Sequence, residues 1–210
     1  MTGVADLTPV AQDYLKVIWS ATEWGDPPIT SKGLAARLHT SAAGVTDMVK
    51  RLAGQGLVDY ESYRPVRLTP AGERLAVAMV RRHRLIETFL VRMLGYDWAE
   101  VHDEAEALEH AASEQLIERI DALLGHPAAD PHGDPIPGAD GTLRRPDAMR
   151  PGEAQGPCTV VRVSDADPAI LARCRDLGIV PGATVLAAEV PAELAYAVWV
   201  EPVSGRASPG

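Results

Sequence analysis

The chain has 210 residues, 46% of them apolar, with 20 basic against 29 acidic side chains and a formal charge of −9; that size suits one large domain or two small ones with a real core. No run of about 18 apolar residues is present to span a membrane, and no basic segment followed by an apolar run opens the chain, so no secretory signal is expected. Cys158 and Cys174 lie far apart and in no C-x-x-C pattern, which argues against a disulfide framework or a thiolate zinc site and for a reducing cytoplasm.

The acidity counts against nucleic acid only as a total. Between Asp97 and Asp121 the only base is Arg119, whereas residues 1–75 are close to electrically balanced.

In chain order, Leu7–Trp24 reads as a first helix, with Thr8 as its N-cap and Pro9 at the first helical position. A shorter helix follows from Thr30 to Leu38. Ser41 then caps a third helix that reaches about Ala53 and stops at Gly54 and Gly56. Val45, Met48, Val49 and Leu52 give this helix an apolar stripe and leave Ala42, Ala43, Thr46, Asp47 and Lys50 outward. Two strand-like runs, Leu57–Glu61 and Val66–Thr69, are joined by Ser62, Tyr63, Arg64 and Pro65. Helix, short helix, turn, helix and hairpin is the order of a winged helix-turn-helix, which binds double-stranded DNA.

A long helix is expected from Pro70 to Leu94, and another from Asp97, on which Trp98, Val101, Ala105, Leu108 and Ala112 form a packing stripe. Along its flank His102, Glu106, Glu109 and His110 recur at steps of four, three and one, so two imidazoles and two carboxylates share one face. His83 and Glu87 make a second pair at i, i+4 on the preceding helix. Mixed nitrogen and oxygen donors at this density suit a divalent transition metal, although Glu-rich helix faces are also common without one. Residues His126–Pro157, rich in Pro, Gly and Asp, read as a tether, with His126 and His132 as exposed bystanders. After it, Cys158–Val163, Thr184–Val190 and Tyr196–Glu201 read as strands and Ala169–Leu177 as a short helix, together a small β-barrel.

With its winged segment, Arg82-His83-Arg84-Leu85-x-Glu87, Val101-His102-Asp103-Glu104-Ala105-x-x-x-Glu109-His110 and Gly133-Asp134-Pro135-Ile136-Pro137-Gly138, the chain resembles the diphtheria toxin repressor family. Within that family the manganese-sensing branch is the nearest in pattern. The resemblance implies a mainly α fold with small β elements. It divides the chain into a winged helix-turn-helix domain at 1–75, a helical metal-binding and dimerisation domain at 76–142, a linker at 143–156 and an SH3-like β-barrel at 157–210. It also implies one metal site from Asp13, Glu106, Glu109 and His110, and a neighbouring site from His83, Glu87 and His102, with Asp165 as the candidate from the barrel. Carboxylates stand at 13 and 106, where the iron-sensing branch has methionine and cysteine. That exchange favours the harder Mn²⁺, with Fe²⁺, Co²⁺ or Zn²⁺ as substitutes. Lys16 occupies the position of a second first-helix carboxylate in the shorter manganese sensors, which argues against a binuclear site of their kind.

The implied activity is that of a homodimeric, manganese-dependent repressor of operator DNA. Ser41, Thr46, Asp47 and Lys50, with Arg64 and Arg67 of the wing, are the DNA-contact candidates; Asp47 can accept from cytosine N4 while the arginines hold phosphate. The alternatives are an iron-dependent repressor of the same family and a winged-helix regulator that ignores metal. No H-E-x-x-H helix or nucleophile elbow is present, so neither an enzyme nor a small-molecule substrate is expected.

Overall fold

The computed structural model describes residues 3–61 and 64–203. Ser62 and Tyr63 of the expected wing turn, and the last seven positions of the expected SH3-like region, lie outside them. Two compact units result. One comprises the chain up to Arg82 together with Pro137–Thr142, the other His83–Ile136 together with the chain from Leu143 onward.

The first unit is built on α1 (Pro9–Glu23), α2 (Ser31–Arg37) and α3 (Ala42–Gly54). Each starts where a hydroxyl can accept an otherwise unpaired backbone N–H: Thr8 from Ala11, Thr30 from Gly33 and Ser41 from Gly44. Their apolar faces bury Leu15, Ile18, Leu34, Val45, Val49 and Leu52. The strands β1 (Val58–Asp59) and β2 (Arg67–Leu68) pair antiparallel, Val58 opposite Leu68 and Asp59 opposite Arg67. They are shorter than the runs expected from the sequence, because the chain is drawn straight into the next helix. Thr69 donates its hydroxyl to Gly56 O and accepts from Gly72 N. Gly72 itself sits so close beneath the Leu57 carbonyl that a Cβ there would lie 1.9 Å from its oxygen. That helix, α4 (Pro70–Leu94), enters the second unit at His83. The Pro137–Thr142 excursion belongs to the first unit, where Arg81 donates to Pro137 O.

In the second unit the rest of α4 packs with α5 (Val101–Glu109) and α6 (Glu114–Leu123) around Leu85, Ile86, Leu90, Val101, Ala105, Ile117 and Ile120. The sequence reading differs here in two respects. First, α5 begins four residues late: the Asp97 carboxylate accepts from Ala99 N, and this Asx turn holds Trp98 outside the helix. Second, α5 ends at Glu109 with His110 as its C-cap. Ser113 starts the separate helix α6, which the reading did not foresee, by accepting from Leu116 N.

Beyond these helices, β3 (Pro157–Val163) is the centre of a three-stranded antiparallel sheet in the order β4–β3–β5, with β4 Thr184–Leu186 and β5 Val198–Pro202. The register shifts between Val160 and Arg162. Helix α7 (Pro168–Asp176), capped by Asp167, closes a core of Cys158, Val160, Val163, Leu171, Cys174, Ile179, Val198 and Val200. β4 stops short of its expected end at Val190 because the chain coils into a 3-10 turn over Ala187–Glu189 directly after Ala187 N donates to Gly156 O. No helix among the described residues is long and apolar enough to cross a membrane.

Candidate metal centre

Four side chains from three elements of the second unit converge: His83 and Glu87 from α4, His102 from α5, and Asp165 from just beyond β3. One donor atom from each lies within 4.8 Å of all the others. Glu87 Oε1 is 3.0 Å from His83 Nε2 and 3.3 Å from His102 Nδ1. The two ring nitrogens are 3.2 Å apart, and His102 Nδ1 is 3.6 Å from Asp165 Oδ2. Neighbouring ligands of an octahedral ion with bonds of about 2.1 Å stand about 3 Å apart, so this donor set fits a small divalent cation.

The second nitrogen of His83 is also engaged, at 2.6 Å from Glu109 Oε2. A metal-binding imidazole whose other N–H is held by a carboxylate has its ring plane fixed. Glu109 is fully buried, and its Oε1 is 3.9 Å from His110 Nε2. The four donors foreseen on one stripe are therefore divided. His102 serves the Glu87 group, while Glu109 lies with His83 and His110. Glu106 stays half exposed, with Oε1 3.5 Å from His102 Nε2. Asp13, on α1, belongs to the first unit and is half-buried.

Two further residues, His132 and Asp130, reach this centre from the segment that composition marks as a tether. His132 was expected to be an exposed bystander in a tether, but it is fully buried. Its Nε2 is 2.6 Å from the Trp98 carbonyl and its Nδ1 3.6 Å from Glu87 Oε2. Asp130, also buried, joins Glu87 and His132 as a further donor group. The turn that carries both is specified locally. Asp130 Oδ1 accepts from His132 N and Asp134 N, and Gly133 adopts φ 90°. A Cβ at Gly133 would lie 1.9 Å from Val161 O. Arg84 donates to Pro135 O, and Arg162 on β3 donates to Asp134 Oδ1 at 2.6 Å. The segment is thus packed, not tethered. The signal available in the sequence was Asp130-x-His132-Gly133-Asp134, where a hinge glycine is flanked by groups that ligate or cap.

Burial sets the electrostatics. It pushes the Glu87 carboxyl up, but the charge of His83, hydrogen bonds from His102 and His83, and the nearby His132 outweigh it and leave the group well below the usual range. His102 and His132 are each raised to about 10: burial disfavours their charge, but the hydrogen bonds in which Glu106 and Glu87 accept from His102, the close approach of Glu87 to His132, and the other nearby carboxylates win. Asp165 falls to about 2 despite burial, through the charges of His102 and His132. Burial, then the neighbouring Asp134, raises Asp130 to about 8. Without metal, protons balance these carboxylates; a cation must displace them.

The nucleic-acid candidates lie in the first unit. Asp47 and Lys50 are exposed one turn apart on α3, and Arg67 is exposed on β2. Arg64 is exposed with Nε 3.1 Å from Glu61. Ser41 Oγ is engaged in its cap, and Thr46 Oγ1 donates back to Ala42 O, so neither hydroxyl is presented unpaired.

Comparison with known proteins places these parts. Residues 6–66 match the iron-dependent repressor N-terminal DNA-binding domain, 69–138 the iron-dependent repressor metal-binding and dimerisation domain, and 149–200 the FeoA domain. The chain is 33% identical over 230 residues to the iron-dependent repressor IdeR of Mycobacterium leprae, covering 94% of this chain and 99% of that protein. To the diphtheria toxin repressor of Corynebacterium jeikeium it is 31% identical, covering 95% and 99%. A solved structure of a manganese-dependent transcriptional repressor in complex with manganese superposes with a TM-score of 0.82 at 47% identity, covering 90% of this chain and 98% of that one. The chain belongs to the diphtheria toxin repressor family of metal-dependent, DNA-binding transcriptional repressors, in the form that carries a C-terminal FeoA, or SH3-like, domain.

Proposed function

We propose that this repressor answers to Mn²⁺ and, as a homodimer, closes operator DNA when the ion is bound. The observation that carries the reading is the chemistry of the donors. Every candidate ligand is an imidazole or a carboxylate, and both cysteines are buried within the sheet core. Oxygen and imidazole donors suit Mn²⁺, whereas thiolates draw softer ions. The 47% identity to a manganese-dependent repressor supports the same assignment. The iron-dependent reading keeps one observation in its favour, the 33% identity to an iron-dependent repressor.

Two sites divide the work in this proposal. His83, Glu87, His102 and Asp165, joined by Asp130 and His132, hold metal within the second unit. Asp13 joins Glu106, Glu109 and His110 to form the other site, tying the winged domain, proposed at 1–75, to the helical domain at 76–142. A bound ion would supply the positive charge that these carboxylates need to stand together. The chain's own residues do the rest: His83 orients Glu109, while Ser41, Thr46, Asp47, Lys50, Arg64 and Arg67 meet the DNA. Two half-sites about 34 Å apart require fixed recognition helices, and moving a population from 1:99 to 99:1 takes about 5.5 kcal/mol of preference for the competent state. Met93, Leu94, Leu108, Leu116 and Leu123 are exposed apolar side chains of the second unit, which pairing with a second copy would bury.

The deciding experiment is anaerobic titration of operator binding against Mn²⁺, Fe²⁺, Co²⁺ and Zn²⁺. Activation by Mn²⁺ at the lowest free concentration relative to each ion's cellular availability is expected. Activation by Fe²⁺ with Mn²⁺ inert would assign the chain to iron.

A further inference from the structure

The donor groups of the second unit share one side chain, and its two oxygens face different partners. Glu87 Oε1 looks toward His83 Nε2 and His102 Nδ1, at 3.0 and 3.3 Å. Glu87 Oε2 looks toward His132 Nδ1, at 3.6 Å. We propose that Glu87 bridges two divalent cations, one held with His83, His102 and Asp165 and the other with Asp130 and His132. This inference rests on the metal reading above.

His132 supplies the independent observation. A carbonyl oxygen can only accept, so the 2.6 Å contact with Trp98 O places a proton on Nε2. In the neutral ring the lone pair then sits on Nδ1. That atom is fully buried and has no hydrogen-bond partner among the described residues. It faces Glu87 Oε2 at a separation too long for a hydrogen bond. Two bonds of about 2.1 Å, meeting at an ion, span such a gap. An imidazole whose far N–H is tied to a carbonyl is the arrangement that presents nitrogen to a metal.

Asp130 is prepared in the same way. Its Oδ1 is taken by two backbone N–H groups, at 2.8 and 2.9 Å, which orients the carboxylate. Its Oδ2 stands 3.6 Å from Arg84 Nε, beyond hydrogen-bonding distance. The Arg84 guanidinium is itself matched by Asp134, 3.4 Å away. Glu87, Asp130 and Asp165 together carry three negative charges when ionised. One dication would leave this set at −1 and two would leave it at +1, so its charge accommodates the second ion.

The test uses the full chain loaded with Mn²⁺ alone. Two Mn²⁺ ions bridged by one carboxylate are magnetically coupled, and electron paramagnetic resonance separates them from isolated ions. Equilibrium dialysis gives the number bound per protomer. The expected result is a coupled signal in the parent that disappears in Asp130→Asn and in His132→Ala, each variant binding one ion fewer. Asp130→Asn keeps an oxygen for the two backbone donors, so it preserves the turn even if His132→Ala does not fold. A saturated parent without a coupled signal, or variants with unchanged stoichiometry, would overturn the bridge. If Glu87→Gln costs no bound ion at all, the whole Glu87 centre is misassigned, and the bridge falls with it.

Discussion

The winged region and the Glu87 centre are built on opposite rules. In the first unit the side chains proposed to meet DNA, Asp47, Lys50, Arg64 and Arg67, are exposed, and one helix and one hairpin supply them all. The core behind them, from Leu15 to Leu52, only holds the platform. In the second unit the side chains proposed to hold metal are buried or half-buried, gathered from positions 83 to 165. The difference follows from the targets. A polyanion is met at a surface by charges that stay solvated until contact, and each contributes modestly. A small ion is held by desolvated charge, where every group needs a partner and removing one strands another.

That contrast breaks most visibly at His110. His110→Ala should abolish metal-stimulated operator binding, by more than about 100-fold in apparent affinity, since a ligand loss exceeds the about 10–100-fold cost of losing an outer partner. Analytical sedimentation should still show a folded dimer; a monomer would place His110 in the packing instead.

Leu52→Ala tests the other side. Truncating a fully buried leucine of α3 should cost about 3 kcal/mol of stability in the first unit. A melt of the full chain should show an early transition, with operator binding weakened and Mn²⁺ stoichiometry at the Glu87 centre unchanged. A single transition that releases metal would mean the two regions do not stand apart.

Glu106→Cys sharpens the chemistry. A thiolate in place of this half-exposed carboxylate should move the preference toward Zn²⁺, Co²⁺ or Fe²⁺ over Mn²⁺ by about tenfold, read as the ratio of half-activating concentrations. An unaltered ranking would remove Glu106 from the selectivity argument. Lys50→Ala carries the smallest expected effect. It should weaken operator binding by a few-fold and lower the slope of log affinity against log salt by about 1, as the loss of one phosphate contact does. No change in slope would make Lys50 a plain surface charge.

What could be read from the chain alone divides along the same line. Thr8, Thr30 and Ser41 announce their helices because capping acts over three residues, and the stripe Val45, Val49 and Leu52 fixes the buried face of α3. The donor types on α4 and α5 were equally legible, since i, i+4 spacing is local. Their grouping was not. One helix flank holds His102, Glu106, Glu109 and His110, but which donor meets which depends on where His83 and Glu87 arrive from α4. The start of α5 was misplaced because Asp97 serves as well in an Asx turn as in a first helical turn. His132 was lost for a related reason. Proline and glycine mark the absence of periodic structure, which says nothing about burial, and this turn is sealed by Arg84 and Arg162 from distant positions.

Gly133 carries a consequence for inheritance. With φ 90° and the Val161 carbonyl oxygen 1.9 Å from where a Cβ would stand, no side chain fits there without moving the turn off β3. His132 and Asp130 travel with that turn. A random screen for mutants that stay folded yet become deaf to metal should therefore return Gly133 alongside the proposed donors, although it has no side chain to offer an ion. In this protein a missing side chain is as heritable a part of the sensor as those that are present.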